Sequence, residues 1–420
     1  MLFGMNRRQA GVFWAVFALG VALRVWMVLA QQDELMTVYD DKMYVESAQR
    51  LLESGMFTFG GHHEKPTVFI PPMFVLYLSG VFALFGSGDV GLTVARLGAV
   101  LIGSLVMLLV VKLASQMGRV WMGVAAAGLV AVFPPLVLSS SVLLTETPFA
   151  MMVLLFLILL LKAIESGRMK DFVWAGVLLG LTTLTRPTIA LFPIVVGLYL
   201  WGHSRYGFKK AFVVGTVLVV TLFAVLSPWI VRNYVHFDRF IPLTKASGNP
   251  FLTGTYINND VWGQGTDPEF PDYPLGWKKV PGDLVATDDL LMEMGKKRLR
   301  EEFSKDPRAM IEWYTVGKLK LFWWEPFDWS DVLKEWMEPI TAVHRVLIAV
   351  GFAGCAVALW RRVPYAPLVA MLFVYLTVLQ MVYVTTPRYA VPLLPFLFLF
   401  VGYPWTGEEK FLSKGTPINE

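Results

Sequence analysis

Apolar runs of about 20 residues, the length that carries a helix across a hydrocarbon core, recur from end to end of this chain. Loops rich in Arg and Lys separate many of them. A water-soluble core does not hold so many such runs in succession, so the backbone has to close its hydrogen bonds within helices that face lipid. The composition agrees. Of 420 residues, 56% are hydrophobic and only 16% charged, where a soluble chain has about 25% charged, and the mean hydropathy is +0.57. The chain reads as an all-α, polytopic integral membrane protein. Its 30 Phe, 15 Trp and 14 Tyr suit interfacial belts.

Basic residues cluster at Arg7-Arg8, 112–119, 162–170, 203–210 and Arg361-Arg362, which the positive-inside rule assigns to the cytoplasmic side. The spans between them cover 11–30, 90–111, 120–144, 148–164, the pair 172–185 and 188–201, 211–231, 341–360, 363–385 and 389–405, ten in all. The first is too long for a signal-peptide core, and no small-residue cleavage site follows it. Segment 71–85 is short and bounded by Pro71-Pro72 and Gly86-Ser87-Gly88, so it reads as a helix at the outer interface. The pair broken at Arg186-Pro187 has halves of only about 21 Å, which suits half-helices lining a cavity. After the seventh span comes a large outer loop. It predicts a helix from Asp288 to about Phe303, a break at Asp306-Pro307 and a second helix over 311–324. Lacking a core of its own, the loop is expected to cover the membrane part as a lid. The expected division is 1–232, a seven-span catalytic module; 233–340, an extracytoplasmic loop; 341–406, a three-span module; and 407–420, a cytoplasmic tail.

The formal charge of +4 is spread over many loops and speaks for topology rather than nucleic-acid binding. Cys355 is the only cysteine and lies in an apolar run, which excludes an intramolecular disulfide and a thiolate metal cluster. There is no Gly-rich phosphate loop, no Gly-x-Ser-x-Gly and no HExxH, so ATPases, hydrolases and zincins find no support.

The residues able to do chemistry are few. Asp40 and Asp41 open the first outer loop ahead of apolar positions Tyr44, Ala48, Leu51 and Leu52 at helical spacing, with Gly55 closing the helix. Asp41 reads equally as a helix N-cap or as part of an acidic pair supplying a general base. Glu146 ends a long uncharged run on the same face as Asp40, as a solvated boundary residue or a second acid. Arg186 interrupts an apolar stretch, where an unpaired cation costs several kcal/mol. Its partner is either a phosphate or a structural carboxylate such as Glu146 or Asp40. Arg388 is similarly placed at the start of the last span, and Arg24 and Arg96 also interrupt spans. His62-His63-Glu64-Lys65 lacks the other ligand spacings of a metal site and reads as a polar loop, with Lys65 a phosphate-contact candidate.

Taken in order, these pieces resemble the GT-C membrane glycosyltransferases, particularly the bacterial family-39 type related to protein O-mannosyltransferases and to the lipid A aminoarabinose and galacturonic acid transferases. The resemblance rests on Asp40-Asp41-x-x-Tyr44, the Pro71-Pro72 segment ending at Phe85-Gly86, Arg96 and Leu144-x-Glu146. It continues with Leu184-Thr185-Arg186-Pro187, Pro228-Trp229-x-x-Arg232-Asn233-Tyr234 and Arg388-Tyr389-x-x-Pro392-x-x-Pro395. It implies a GT-C fold and an inverting transfer of sugar from a polyprenyl-phosphate donor to a hydroxyl of a lipid, glycan or protein. By the resemblance, Asp40 is the catalytic base with Asp41 and Glu146 as neighbouring acids. Arg186 and Arg388 contact the donor phosphate, and Tyr44, Lys65, Arg96, Arg232, Asn233 and Tyr389 are further substrate-binding positions. Related lipid A transferases carry Glu-Lys directly before the first proline of the Pro-rich segment. Here Phe69-Ile70 stand there, leaving Lys65 as the substitute.

The implied setting is the cytoplasmic membrane of a prokaryote, with the site facing outward. No nucleotide is needed, and the metal requirement stays open: a divalent metal, Mg or Mn, on Asp40 and Glu146 is allowed. Trp262, Trp277, Trp313, Trp323 and Trp324 in the outer loop serve either to stack on sugar or to anchor at the interface. The rival class is a transporter or flippase of lipid-linked sugars, which would usually show repeated halves; none is visible. An oligosaccharide ligase of the same fold is the other alternative.

Overall fold

The computed structural model describes residues 2–31, 35, 39–59, 65–203, 205–261, 274, 276–328 and 331–403. His62-His63-Glu64, Trp262 and the expected tail 407–420 lie outside the described residues. Those described form helices and connecting turns, with no β-strand among them.

Helix α1 (Arg7–Ala30) starts on a capping box in which Asn6 and Gln9 exchange side-chain-to-backbone hydrogen bonds. Amphipathic α2 (Tyr39–Ser54) and short α3 (Met73–Phe85) follow, and Gly55, at φ +70°, closes α2 as expected. The bundle continues with α4 (Asp89–Gln116), α5 (Val120–Val132), α6 (Pro134–Ser139), α7 (Glu146–Ser166), α8 (Met169–Thr185), α9 (Phe192–Trp201) and α10 (Gly207–Phe237). Then come α11 (Gly248–Gly254), α12 (Leu284–Lys305), α13 (Pro307–Glu312), α14 (Met337–Trp360), α15 (Ala366–Val382) and α16 (Leu394–Gly402). Among the described residues five helices are long and apolar enough to cross a membrane: α1, α4, α7, α10 and the stretch Asp331–Trp360 that contains α14.

Prolines set the breaks. The expected continuous span 120–144 is interrupted: Phe133 turns extended (φ −68°, ψ 115°) ahead of Pro134-Pro135, and α6 ends in turns before Glu146. Proline disfavours the α conformation in the residue before it and offers no N–H. The same rule produces the expected break at Arg186 (φ −146°, ψ 123°) before Pro187. Helices α8 and α10 meet through Gly176 and Gly180, where an added Cβ would come within 2.8 Å of Thr221 and 2.6 Å of Val225. Such small residues let membrane helices approach closely.

The basic loops gather at one end of the bundle. Gln116 donates to the Ile158 carbonyl, Arg205 to that of Glu165, and the Tyr206 hydroxyl to that of Ile164. Tyr365, beside Arg361-Arg362, reaches Glu165, while Arg8 lies over Trp121 and Arg119 over Tyr403. The expected outer segment, 233–340, is fastened across the other end. Lys245 N donates to Val68 O, Val384 N to Pro250 O, and Trp313 Nε1 to Gly254 O. Its described residues hold a small apolar cluster of their own, around Leu252, Trp277 and Leu291. Trp277, Trp313 and Trp323 are buried in packing, whereas Trp324 is exposed; the helix expected over 311–324 forms, with π-type turns at Trp313–Gly317 and Lys320–Trp324.

Candidate active site

Two carboxylates and two guanidiniums converge at the end of the bundle away from the basic loops. Asp40 lies in the first turn of α2 and Glu146 is the first residue of α7, positions where the helix dipole and free N–H groups favour an anion. Helix α7 has 21 residues, so Glu146 stands about 30 Å from the basic end, close to the thickness of a hydrocarbon core. Arg186 occupies the extended break after α8. Arg388 follows Pro387 in a 3-10 turn that begins beyond extended Thr386 (φ −130°, ψ 152°). A neighbouring proline thus presents each arginine.

Arg388 Nε donates to Glu146 Oε1 at 2.6 Å and its Nη1 to Asp40 Oδ2 at 2.6 Å, while Arg186 Nη1 donates to the same Glu146 Oε1 at 2.8 Å. The Glu146 side chain is fully buried, Arg186 and Arg388 are 15% and 13% exposed, and Asp40 is 43% exposed. The two bonds to Glu146 are charge-assisted hydrogen bonds in a shielded site, the strong kind, whereas the bond to Asp40 meets solvent. Arg186 also lies over the rings of Tyr389 at 5.2 Å and Phe149 at 5.8 Å. Tyr44, one turn along α2 from Asp40, is buried; its burial, and then Asp40 and Glu146, raise the phenol above its ordinary pKa, so it stays a neutral hydroxyl. Glu146 with its two arginines carries a net +1, which Asp40 balances from the solvent side. Glu146 Oε2 and Thr386 Oγ1 are buried with no hydrogen-bond partner among the described residues, leaving polar capacity at the inner end of the site.

The other expected site residues are elsewhere engaged. Asp41 is 2% exposed and its Oδ1 accepts from Lys42 N at 2.7 Å. It lies inside the first turn, because α2 begins three residues earlier than an N-cap at Asp41 requires. Lys65 donates to Gly282 O at 2.9 Å, tying the first outer loop to the later one. Arg232 donates to Thr67 O at 2.6 Å and Asn233 Oδ1 at 3.0 Å and stacks on Trp229, and Asn233 donates to Ile241 O at 2.9 Å. Both therefore brace loop backbone. Arg96 is buried in α4. Arg24 is fully buried on Ser140 and the carbonyls of Gly20, Val130 and Ala131. Phe149 and Thr386 were not among the expected site residues. Thr386-Pro387 and the aromatic one turn after Glu146 were the signals available.

Residues 70–231 match the family described as dolichyl-phosphate-mannose-protein mannosyltransferase. The oligosaccharyltransferase of Archaeoglobus fulgidus in its apo form aligns with 93% of this chain and 50% of its own, at 12% identity and a TM-score of 0.56. Its complex with Zn and sulfate aligns with 92% and 48%, at 14% identity and 0.55. The chain has the GT-C fold. ArnT from Cupriavidus metallidurans bound to undecaprenyl phosphate covers 94% of this chain and 78% of its own at 17% identity, with a TM-score of 0.43 that adds no weight. The chain spans about half the length of the oligosaccharyltransferases it matches. No curated protein matches it in sequence. The family match contains Arg96, Glu146 and Arg186 but begins after Asp40 and ends before Arg388.

A divalent metal at Asp40 and Glu146 does not suit this donor set. The Arg388 guanidinium already sits between the two carboxylates and donates to both. Among the described residues no group of three His, Cys, Asp or Glu side chains is assembled to hold an ion.

Proposed function

We propose that this protein is an inverting glycosyltransferase that moves a sugar from a polyprenyl-phosphate donor to a hydroxyl acceptor at the outer surface of a prokaryotic cytoplasmic membrane, without a metal. The observation that carries the reading is a half-exposed carboxylate, Asp40, joined through Arg388 to the buried Glu146–Arg186 pair. Asp40 takes the proton of the acceptor hydroxyl as general base. The acceptor oxygen forms its bond to the anomeric carbon from the face opposite the phosphate, and the anomeric carbon–oxygen bond breaks with its electron pair going to the phosphate. Arg186 and Arg388 offset the charge that develops there, where one preorganised donor is worth about 3–4 kcal/mol. Glu146 holds both guanidiniums in place.

The test is transfer by purified protein in lipid from a panel of polyprenyl-phosphate donors bearing single sugars or preassembled oligosaccharides, wild type beside Asp40→Asn. The expected outcome is single-sugar transfer that falls by about 10²–10⁴ in the variant, with donor binding kept. Equal transfer by both proteins removes Asp40 as the base. Transfer of oligosaccharide alone makes the protein a ligase, and donor movement across vesicles without transfer makes it a transporter.

A further inference from the structure

A basic groove lies at the far end of the bundle from Asp40 and Glu146, between the turn that joins α7 to α8 and the start of α10. Phe172, Val213 and Val214 form an apolar wall, and Arg205, Lys209 and Lys210 line the rim, around a volume of about 390 Å³. Arg205 is held in place by its bond to the Glu165 carbonyl at 2.9 Å, over a turn that Tyr206 fastens to Ile164 O at 2.8 Å. Lys209 and Lys210 are exposed in the first turn of α10, which contains no acid. The helix dipole opposes cations in a first turn, so this pair is placed against the local field.

The nearby acids are committed to other partners. Asp171 accepts from Ser166 at 2.6 Å and Arg168 at 3.2 Å, and Glu165 from the Tyr365 hydroxyl at 3.2 Å. Among the described residues none of the three rim cations is in an ion pair. A surplus of positive charge therefore faces a groove whose other wall is hydrocarbon. That combination complements a molecule with an anionic head and an apolar tail, and basic pockets between membrane helices recognise such headgroups.

We propose that this groove binds an anionic phospholipid, its headgroup phosphate on Arg205, Lys209 and Lys210 and one acyl chain along Phe172, Val213 and Val214. The site is separate from the acid–arginine cluster, so its occupancy is read independently of sugar transfer.

The experiment is native mass spectrometry of the purified full chain with added phosphatidylglycerol or phosphatidylcholine. It compares wild type, Lys209→Ala/Lys210→Ala and Lys209→Arg/Lys210→Arg. Wild type is expected to retain phosphatidylglycerol over phosphatidylcholine by roughly tenfold, the alanine variant to lose that preference, and the arginine variant to keep it. Equal retention of the two lipids by wild type, or an unchanged preference in the alanine variant, overturns the assignment. Displacement of phosphatidylglycerol by millimolar inorganic phosphate would show a free-anion site and overturn the lipid reading.

Discussion

Burial divides the two ion pairs of Arg388 into unequal partners, and a pair of double-mutant cycles measures the difference. Glu146 is fully buried and holds two guanidiniums at 2.6 and 2.8 Å, whereas Asp40 is 43% exposed and holds one. Hydrogen bonds to charged groups contribute about 1.5–3 kcal/mol each, and removing one partner of a buried pair costs about 3–5 kcal/mol. Exposed pairs contribute about 0.2–1 kcal/mol. Glu146→Gln alone is therefore expected to lower the unfolding free energy by about 3–5 kcal/mol. Combined with Arg388→Gln, it should cost about 2–3 kcal/mol less than the sum of the single variants. The cycle of Asp40→Asn with Arg388→Gln should show a coupling below about 1 kcal/mol that shrinks further in high salt. The assay is reversible denaturation of the purified protein in mixed micelles. A Glu146–Arg388 coupling below about 0.5 kcal/mol, or one equal to that of Asp40–Arg388, would refute the argument that Glu146 is the structural anchor and Asp40 the adjustable group.

Arg186→Lys keeps the charge but loses the planar fork and the stacking on Tyr389 and Phe149, so the donor KM should rise about tenfold with a smaller change in kcat. An unchanged KM in steady-state kinetics would separate Arg186 from the donor phosphate. Transfer should persist at full rate in excess EDTA, since Arg388 holds the place between the carboxylates; loss that is restored by added Mg²⁺ would reverse that conclusion. Lys318 in the outer segment is buried beneath Tyr314 and bonded to the carbonyls of Met381 and Tyr383, and burial lowers its amine from 10.5 to about 7. Between those values the unfolded chain binds the extra proton, so this group makes stability rise with pH across that window and fall as pH drops toward 7. Lys318→Met should flatten that part of a stability-against-pH curve, and an unaltered slope would assign it to other groups.

What was legible in the sequence was mostly what is local. The lipid-facing class, the break at Arg186-Pro187, the end of α2 at Gly55 and the proline-led turn before Arg388 follow from rules spanning a few residues. Phe133-Pro134-Pro135 is just as local. The apolar run from 120 to 144 conceals it, because that run is long enough to span and hydropathy does not register a missing N–H. Arg232 and Asn233 illustrate the opposite limit. A cation at a membrane boundary must find an electron-rich partner, but the sequence does not say which loop will lie beside it. The loop carbonyls that Arg232 reaches are 165 and 175 residues away, and the carboxylates of Arg388 are 242 and 348 away.

The identity of those partners then separates the arginines. Arg24 and Arg232 are bonded chiefly to backbone carbonyls. An incoming phosphate could recruit either only by leaving those carbonyls unsatisfied in a buried place, at about 1–3 kcal/mol each. Arg186 and Arg388 are bonded to carboxylates. A phosphate arriving at Arg388 exchanges one anion for another, and the carboxylate released is Asp40, the one already in contact with solvent. In the proposed reaction the same exchange frees Asp40 beside the donor at the moment a base is needed. Of the four arginines, only the two paired with acid can meet a phosphate without leaving backbone carbonyls unsatisfied.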